Sequence, residues 1–428
     1  MEKSKPLTFS QYFKIFSSSC GWAAVLTVSY IFSHYYQLFS QVYGFNDSQM
    51  GTLMSIVGTV GVFCYLFGGV VADMLRPKVC LNITYISMII LSLICTTSPS
   101  YTTMYFVAFG FAVCGILFFS TPMLRFIVTL GSREQQGRIF GLLYCMSGVL
   151  SLIIGTIASQ IIAVSGAKAG LRWMFILYAA VMAVSCLVHN LIDKSKHGDK
   201  IEKTSTFSIN MIGDVLKNPN MWLIFVLAVC TYVPSFMGSA YVQPLMKEYF
   251  GASTATVALV ATYSNFGTMI VMSLLTGALT DKMGSVVNMV LLSLIFLILA
   301  ATAMLISPWA SAYLFVVTIA LFMLRSVNAI GKPARNSLVS ESRVPAVARG
   351  TATGLMFAVM TLPDAFLYKV CGSLLTSYSG SKTGYHIILV SMLVIGAVGI
   401  VCALLFRYNT KKAKERDSIE GRPEGLLI

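Results

Sequence analysis

The segment GGVVADMLRPK, residues 68–78, decides the fold more than any other part of the sequence. A carboxylate, Asp73, follows Gly69 by four positions, and basic residues begin at Arg76. A weaker copy, GALTD, occupies residues 277–281, 208 positions further along the chain. Each copy ends a long apolar run, so the sequence predicts two similar halves with a polar turn at the same place in each.

Composition places both halves in a membrane. Of the 428 residues, 57% are apolar and only 11% are charged, and the mean hydropathy is +0.79. Soluble domains carry about a quarter charged residues, so a soluble fold is excluded. We predict an all-α membrane protein of twelve transmembrane helices, each needing roughly 20 residues. Their approximate bounds are 17–40, 50–72, 79–97, 103–131, 139–165, 172–192, 221–244, 256–279, 285–306, 310–331, 350–378 and 384–407.

The longest polar stretch divides these helices into two bundles of six. We predict an N-terminal bundle over residues 1–192, a cytoplasmic linker over 193–220, a C-terminal bundle over 221–407 and a cytoplasmic tail over 408–428. The two bundles also match outside the polar turns: Tyr35 and Gln37 recur as Tyr241 and Gln243, and Met-Leu-Arg ends at Arg125 and again at Arg325. Such a repeat predicts two pseudo-symmetric bundles related by an axis along the membrane normal, with the substrate cavity between them.

The net charge of +14 is a topology signal rather than a sign of nucleic-acid binding. Of the 30 Lys and Arg residues, three lie inside predicted helices and 23 lie on the side that holds both termini. Cytoplasmic loops carry such an excess, so we expect both termini in the cytoplasm and the chain in the cytoplasmic (inner) membrane. The outer loops hold only Lys168, Arg172, Lys247 and Lys382.

The sequence predicts neither an enzyme nor a metal site. The ten cysteines lie in or beside apolar stretches without CxxC or Cys/His spacing, so we expect no disulfide framework, metal or cofactor. No GxxxxGK[ST], HExxH or GxSxG motif occurs, and we predict no catalytic residue.

The polar turns resemble the signature of the major facilitator superfamily. That signature places a Gly, an Asp four residues on and then basic residues after the second helix, and a third match is Glu134-Gln-Gln-Gly137-Arg138 after the fourth. The resemblance covers the whole chain and implies the major facilitator fold. At the cytoplasmic surface the Asp73 carboxylate can pair with Arg138 or with a helix N-terminus while that side is closed, or it can simply cap a loop. The predicted gate residues are Gly69, Asp73, Arg76, Arg138 and Asp281.

Two arginines occupy matching places inside the membrane. Arg125 and Arg325 each lie about seven residues, or roughly 10 Å, from the predicted cytoplasmic end of a helix. A guanidinium is always charged and can bind carboxylate, sulfonate or phosphate through two parallel hydrogen bonds, so the pair predicts an anion site. Asn328 lies beside Arg325 and joins the predicted site. The alternative is that both side chains extend to the cytoplasmic interface.

Only one of the 16 acidic residues, Asp364, lies deep inside a predicted helix. A carboxylate there costs several kcal/mol unless it is neutral, paired or in a wet cavity. We predict that Asp364 binds a proton on one side of the membrane and releases it on the other. The alternative is a neutral Asp364 that bonds the helix where Pro363 breaks it.

Polar side chains also line one face of two helices. Tyr30, His34 and Gln37 stand at i, i+4 and i+7, and Tyr232 and Gln243 lie on the matching helix of the second half. Such groups are unsatisfied in lipid, so we predict that they line the central cavity or pack against other helices. Asn265 is a further candidate, and His34 is either a proton acceptor or a structural histidine.

Glycines indicate close helix contacts. Gly141, Gly148 and Gly155 repeat every seven residues in the predicted fifth helix, and Gly58 and Gly61 lie in the second. Small residues let helix backbones approach closely, so we expect structural roles for them.

Together these features predict a secondary active transporter that works by alternating access. We expect a small organic anion as substrate, a proton or a counter-substrate as coupled partner, and a monomer in the lipid bilayer without nucleic acid. The paired arginines resemble the organic-anion and sugar-phosphate carriers of the superfamily. Those carriers often have an arginine in the first helix, where this chain has His34. The alternatives are a neutral sugar or polyol symporter and a transporter-like membrane sensor.

Overall fold

The structure is a computed structural model that describes residues 7–130, 136–192, 209–272, 275, 286–342, 344 and 349–419. These residues are almost entirely helical and contain no β-strand. Nine stretches of this described part are long and apolar enough to cross a membrane. The predicted fold class, an all-α membrane protein, is confirmed.

The first half of the chain begins with a broken helix. The predicted helix over 17–40 is three consecutive helices, because the backbone leaves helical geometry at Tyr30 and again at Tyr35, where φ is −108° and −120°. The predicted fifth and sixth helices follow one another directly and bend apart at Gly166, whose φ of 76° favours glycine. The helices are α1 Phe9–Ser29, α2 Ile31–His34, α3 Tyr36–Tyr43, α4 Asp47–Met74, α5 Pro77–Thr96, α6 Tyr101–Ala112, α7 Ser120–Val128 and α8 Gln136–Ile192.

The second half contains α9 Ile209–Lys217, α10 Pro219–Val233, α11 Ser239–Glu248, α12 Thr254–Thr262, α13 Val286–Ile306, α14 Leu314–Glu341, α15 Arg349–Thr361, α16 Leu367–Ser377 and α17 Thr383–Ile419. A short 3₁₀ turn, Leu362–Ala365, separates α15 from α16 at the predicted Pro363 break. Two helices extend well past their predicted ends: α14 continues ten residues beyond 331 and α17 twelve beyond 407.

Local sequence explains where the helices begin. The Asn46 side chain accepts a hydrogen bond from the Gln49 backbone N–H, and the Gln49 side chain accepts one from the Asn46 N–H. This capping box satisfies two donors that the start of α4 would leave unpaired. Ser253 caps α12 in a similar way by accepting from the Thr256 N–H.

Within the described residues, three turns of π-helix widen the helices at Val113–Leu117, Pro234–Gly238 and Tyr263–Gly267. Pro234 has no backbone N–H to donate, which accounts for the irregular turn that it begins. At Gly115 the glycine leaves room for the side chain of Ser29 on α1. The other two turns carry Phe236 and Asn265, so irregular backbone positions side chains that recur in the candidate site.

The described residues form two compact units. The first contains 7–130, 136–192, 252–270 and 364–376, and the second contains 209–251, 271–363 and 377–419 with the gaps already given. The first unit therefore includes the beginning of the predicted eighth helix and the second part of the predicted eleventh. The boundaries of 1–192, 193–220, 221–407 and 408–428 remain predictions.

In the first unit, small residues on α4 contact the segment 364–376 directly. The Lys369 backbone N–H donates to Ser55 Oγ at 3.0 Å, and Thr59 Oγ1 donates to the Ala365 carbonyl at 3.2 Å. A Cβ added at Gly58 would lie 2.5 Å from the Asp364 carbonyl carbon. Gly51 is equally close to the backbone of Tyr368, so these glycines let the two backbones touch.

In the second unit, α10 and α14 approach each other closely where their polar residues meet. A Cβ added at Gly331 of α14 would lie 3.1 Å from the Cβ of Thr231 on α10. Thr231 is fully buried, and its hydroxyl donates to the Leu227 carbonyl at 2.8 Å. The Thr231 oxygen therefore remains able to accept a hydrogen bond from α14.

Candidate functional site

A cluster of cationic and polar side chains lies between α10 and α14 in the second unit. Arg325 is 6% exposed, and its guanidinium carbon lies 5.5 Å from the centre of the Phe236 ring. Phe236 in turn stacks on Tyr232 with ring centres 4.5 Å apart. Asn328, one turn after Arg325, is half-buried. The predicted residues Tyr232, Arg325 and Asn328 therefore belong to one cluster.

Arg335 is the most deeply buried charged residue of this cluster. It is 1% exposed, and its Nη1 donates to Thr231 Oγ1 at 2.7 Å while its Nη2 donates to Asn328 Oδ1 at 3.0 Å. Helix side chains point toward the helix N-terminus. The Cα of Asn328 lies seven residues, or about 10 Å, earlier on α14. By reaching back to Asn328, the side chain places its charge closer to the start of α14 than its own Cα.

The sequence-based prediction missed Arg335. Hydropathy ended the tenth helix at 331 because Lys332 and Pro333 follow, and Arg335 then counted as a cytoplasmic residue. The structure continues α14 to Glu341. Helical periodicity carried the missed signal, since Arg325, Asn328, Lys332 and Arg335 stand at i, i+3, i+7 and i+10. Lys332 is exposed and adds positive charge one turn before Arg335.

An acidic cavity lies in the first unit. Asp364 is 4% exposed and stands in the 3₁₀ turn between α15 and α16. It lines a cavity of about 10 Å³ together with Tyr30, Ser33, Gly58 and Tyr368. That volume is close to the space of one water molecule, so the cavity can hold a water or a proton-carrying group but no organic substrate in this arrangement.

Two tyrosine hydroxyls adjoin this carboxylate. Tyr30 Oη lies 3.2 Å from Tyr65 Oη, and both phenols are near enough to Asp364 to interact with it electrostatically. Tyr65 was not predicted as a site residue. It lies on α4 seven residues after Gly58, and this spacing places both residues on the same face of the helix. The sequence could have indicated Tyr65 through that spacing.

His34 and Asn265 are joined in the same unit. His34 Nδ1 lies 2.9 Å from the Tyr30 carbonyl, and Nε2 lies 2.7 Å from Asn265 Nδ2. A carbonyl can only accept, so Nδ1 carries the proton and Nε2 accepts from the Asn265 amide; this tautomer is assigned from the hydrogen-bond network. The ring also stacks on Phe266, with centres 5.7 Å apart. These contacts suit a neutral, structural histidine.

Replacing His34 with Gln is expected to keep the predicted pH-driven uptake near the wild-type level. The Gln side chain can still accept from Asn265 but does not titrate, so a structural histidine tolerates it. The measurement is uptake into proteoliposomes under an imposed pH gradient, with His386→Gln at an exposed position as the matched control. Loss of uptake in His34→Gln alone would assign proton coupling to His34.

The other predicted residues are distributed as follows. Gln37 is half-buried, Gln243 is 1% exposed and Arg76 is exposed. The backbones of Gly69, Asp73, Arg125 and Arg138 are helical, but their side chains lie outside the described part of the structure, and Asp281 lies outside it entirely. Within the described residues, no three His, Cys, Asp or Glu side chains form a group that could hold a metal ion.

Comparisons with known proteins agree with this architecture. The family model described as Major Facilitator Superfamily matches residues 2–156 and 102–368. The inner membrane protein YqcE of Escherichia coli (strain K12) is 21% identical over 372 residues, which cover 85% of this chain and 87% of that protein.

Two solved structures share the fold over nearly the whole chain. The structure of a mutant of the nucleoside transporter NupG has a TM-score of 0.73 at 14% identity, and the match covers 93% of this chain and 98% of that chain. The D-xylose-proton symporter has a TM-score of 0.72 at 15% identity, with coverage of 93% and 97%. These likenesses concern the fold alone. With the family match, they show that the chain belongs to the Major Facilitator Superfamily and is a multi-pass membrane transporter of small molecules rather than an enzyme.

Proposed function

We propose that this transporter carries a small organic anion across the cytoplasmic membrane by alternating access, coupled to protons or to a counter-anion. Both termini lie in the cytoplasm in this proposal, and the chain acts as a monomer. The cytoplasmic gate of Gly69, Asp73, Arg76, Arg138 and Asp281 closes one side. The observation that supports an anionic substrate is the buried guanidinium of Arg325 in the second unit.

The environment of Arg325 argues against simple extension to the membrane surface. Its Cα lies eleven residues after Leu314, about 16 Å along α14 and near the middle of a ~30 Å hydrocarbon core. The guanidinium packs over Phe236 instead of reaching the end of the helix. A charge held at this depth is costly and marks a substrate or ion pathway by default. Its sign selects an anion.

Asp364 supplies the proposed proton site. It is a buried carboxylate that lines a small cavity with Tyr30 and Ser33. A carboxylate in such surroundings can change protonation only when water reaches it, which ties proton binding and release to conformation. The residues proposed to bind the substrate are Arg125, Tyr30, His34, Gln37 and Asn265 in the first unit and Arg325, Tyr232, Gln243 and Asn328 in the second.

Replacing Arg325 with Lys or Gln is expected to weaken anion binding by about tenfold or more, or ~1.4 kcal/mol. Lysine keeps the positive charge but lacks the planar pair of N–H donors, and glutamine lacks the charge. We therefore expect neither variant to bind the anion with wild-type affinity. The measurement is concentration-dependent uptake into proteoliposomes for a panel of carboxylates, sulfonates, phosphorylated sugars and neutral sugars. Arg407→Lys is the matched control, since Arg407 is exposed on α17.

Each outcome of this panel is decisive. Wild-type affinity in both Arg325 variants would make the arginine structural and favour the neutral sugar or polyol symporter. Uptake of neutral sugars alone by the wild-type protein would establish that alternative directly. Binding without uptake of any compound would favour a membrane sensor.

A further inference from the structure

Among the described residues of the second unit, the hydrogen-bond partners of Arg335 do not balance its charge. Both of its hydrogen-bond partners, Thr231 and Asn328, are neutral, and its Nε has no hydrogen-bond partner among the described residues. A buried guanidinium is costly to desolvate unless it is paired with an anion and fully hydrogen-bonded. These hydrogen bonds therefore explain the orientation of the Arg335 side chain, but they do not explain why a charged residue is buried at this position.

A purely structural role would not need the charge. Arg335 links α14 to α10 through Thr231, but a neutral amide could donate the same hydrogen bond without the desolvation cost. An anion that reaches Arg335 in some step of the cycle would give the positive charge a purpose that the described contacts do not.

Asn328 is the more exposed of the two described hydrogen-bond partners of Arg335, since Thr231 is fully buried. Asn328 is half-buried, whereas Arg335 is 1% exposed, and the Asn328 Oδ1 accepts from Arg335 Nη2 at 3.0 Å. A carboxylate or phosphate oxygen accepts the same hydrogen bond more strongly because it is charged. Rotation of the Asn328 side chain would free Nη2, and the buried Nε of the same guanidinium has no hydrogen-bond partner among the described residues.

We infer that Arg335 binds an oxyanion, and that the Asn328 amide oxygen occupies the place of a carboxylate or phosphate oxygen while the site is empty. Thr231 holds the guanidinium in position from α10. Arg325 and Lys332 lie on the same helix and add positive charge on either side of Asn328. The inference rests on the proposed function and makes it more specific: the anionic group of the substrate binds at Arg335.

The test uses the purified full-length protein in detergent. We would measure the thermal unfolding midpoint with inorganic phosphate, sulfate or acetate, each against sodium chloride at the same ionic strength. A ligand that binds only the folded state raises this midpoint. The variants are Arg335→Gln, which removes the charge, and Asn328→Asp, which places a carboxylate beside it. Asn288→Asp is the matched control, since Asn288 accepts from the exposed Arg407 at 3.4 Å.

We expect at least one oxyanion to raise the midpoint of the wild-type protein and of Asn288→Asp. The increase should disappear in Arg335→Gln and in Asn328→Asp. The second variant should also unfold at a higher temperature without added anion, because its own carboxylate pairs with Arg335. This variant keeps the test valid if Arg335→Gln fails to fold.

Two results would overturn the inference: no increase with any of the three anions in the wild-type protein, or an equal increase in Asn328→Asp. Uptake assays separate this failure from failure of the proposed function. Transport of an organic anion that is unaffected in Asn328→Asp would leave the function standing without the Arg335 site. The opposite result is also possible: anions stabilise the protein through Arg335, but only neutral sugars are transported. That result would reject the proposed anion transport and retain the oxyanion site at Arg335.

Discussion

Replacing Asp364 with Asn is expected to reduce pH-driven uptake to the level of liposomes without protein, while exchange of labelled for unlabelled substrate continues. Asn has nearly the size and shape of a protonated Asp but cannot release a proton. In the proposed cycle, accumulation driven by a pH gradient requires the Asp364 carboxylate to change protonation between the two open states, whereas exchange needs no deprotonation.

Both activities should be measured in the same proteoliposome preparation. Glu415→Gln is the matched control, because it neutralises an exposed carboxylate that forms an ion pair with Lys411. Persistent pH-driven accumulation in Asp364→Asn would contradict the proton-site proposal and leave either His34 or a proton-independent exchanger. Loss of exchange as well would favour a structural Asp364 at the Pro363 break.

Replacing Gly58 with Ala is expected to lower uptake by about tenfold or more, although it adds a single methyl group. The new Cβ would lie 2.5 Å from the carbonyl carbon of Asp364 and 2.6 Å from its Cβ. The obstacle is largely backbone, so it cannot rotate away as a flexible side chain would. Overpacking of this kind costs about 1–3 kcal/mol and should displace the Asp364 turn from its cavity.

The matched control is Gly354→Ala on α15, where an added Cβ meets nothing within 4 Å. Uptake and thermal unfolding should be measured for both variants after reconstitution. Gly61→Ala should have an intermediate effect, since its Cβ would meet only the flexible end of Ile116 at 3.2 Å. Unchanged uptake in Gly58→Ala would show that the contact between α4 and the segment 364–376 can widen without cost.

The sequence was sufficient for the fold class because a membrane requires long apolar helices whose backbone groups are satisfied internally. Composition and the GGVVADMLRPK motif of residues 68–78 therefore indicated the superfamily without any tertiary contact. Asp364 could also be selected, since it is the single acidic residue deep in a predicted helix. Its detailed surroundings could not, because Tyr65 and Gly58 lie about 300 residues away in the chain.

Helix ends and polar partners were the main features that the sequence left open. Hydropathy measures composition along one helix, so it ended the tenth helix at residue 331, before Lys332, and assigned Arg335 to a loop. Burial of a side chain depends instead on which other helix packs against it. Thr231 on α10 reaches Arg335 because Gly331 leaves room between the two helices. In the same way, His34 gained its partner Asn265 only through packing of distant segments. The sequence by itself determined that the chain is helical and lies in a membrane. Only the tertiary structure decided which buried charges and polar groups meet, because those contacts depend on distance in space rather than on position along the chain.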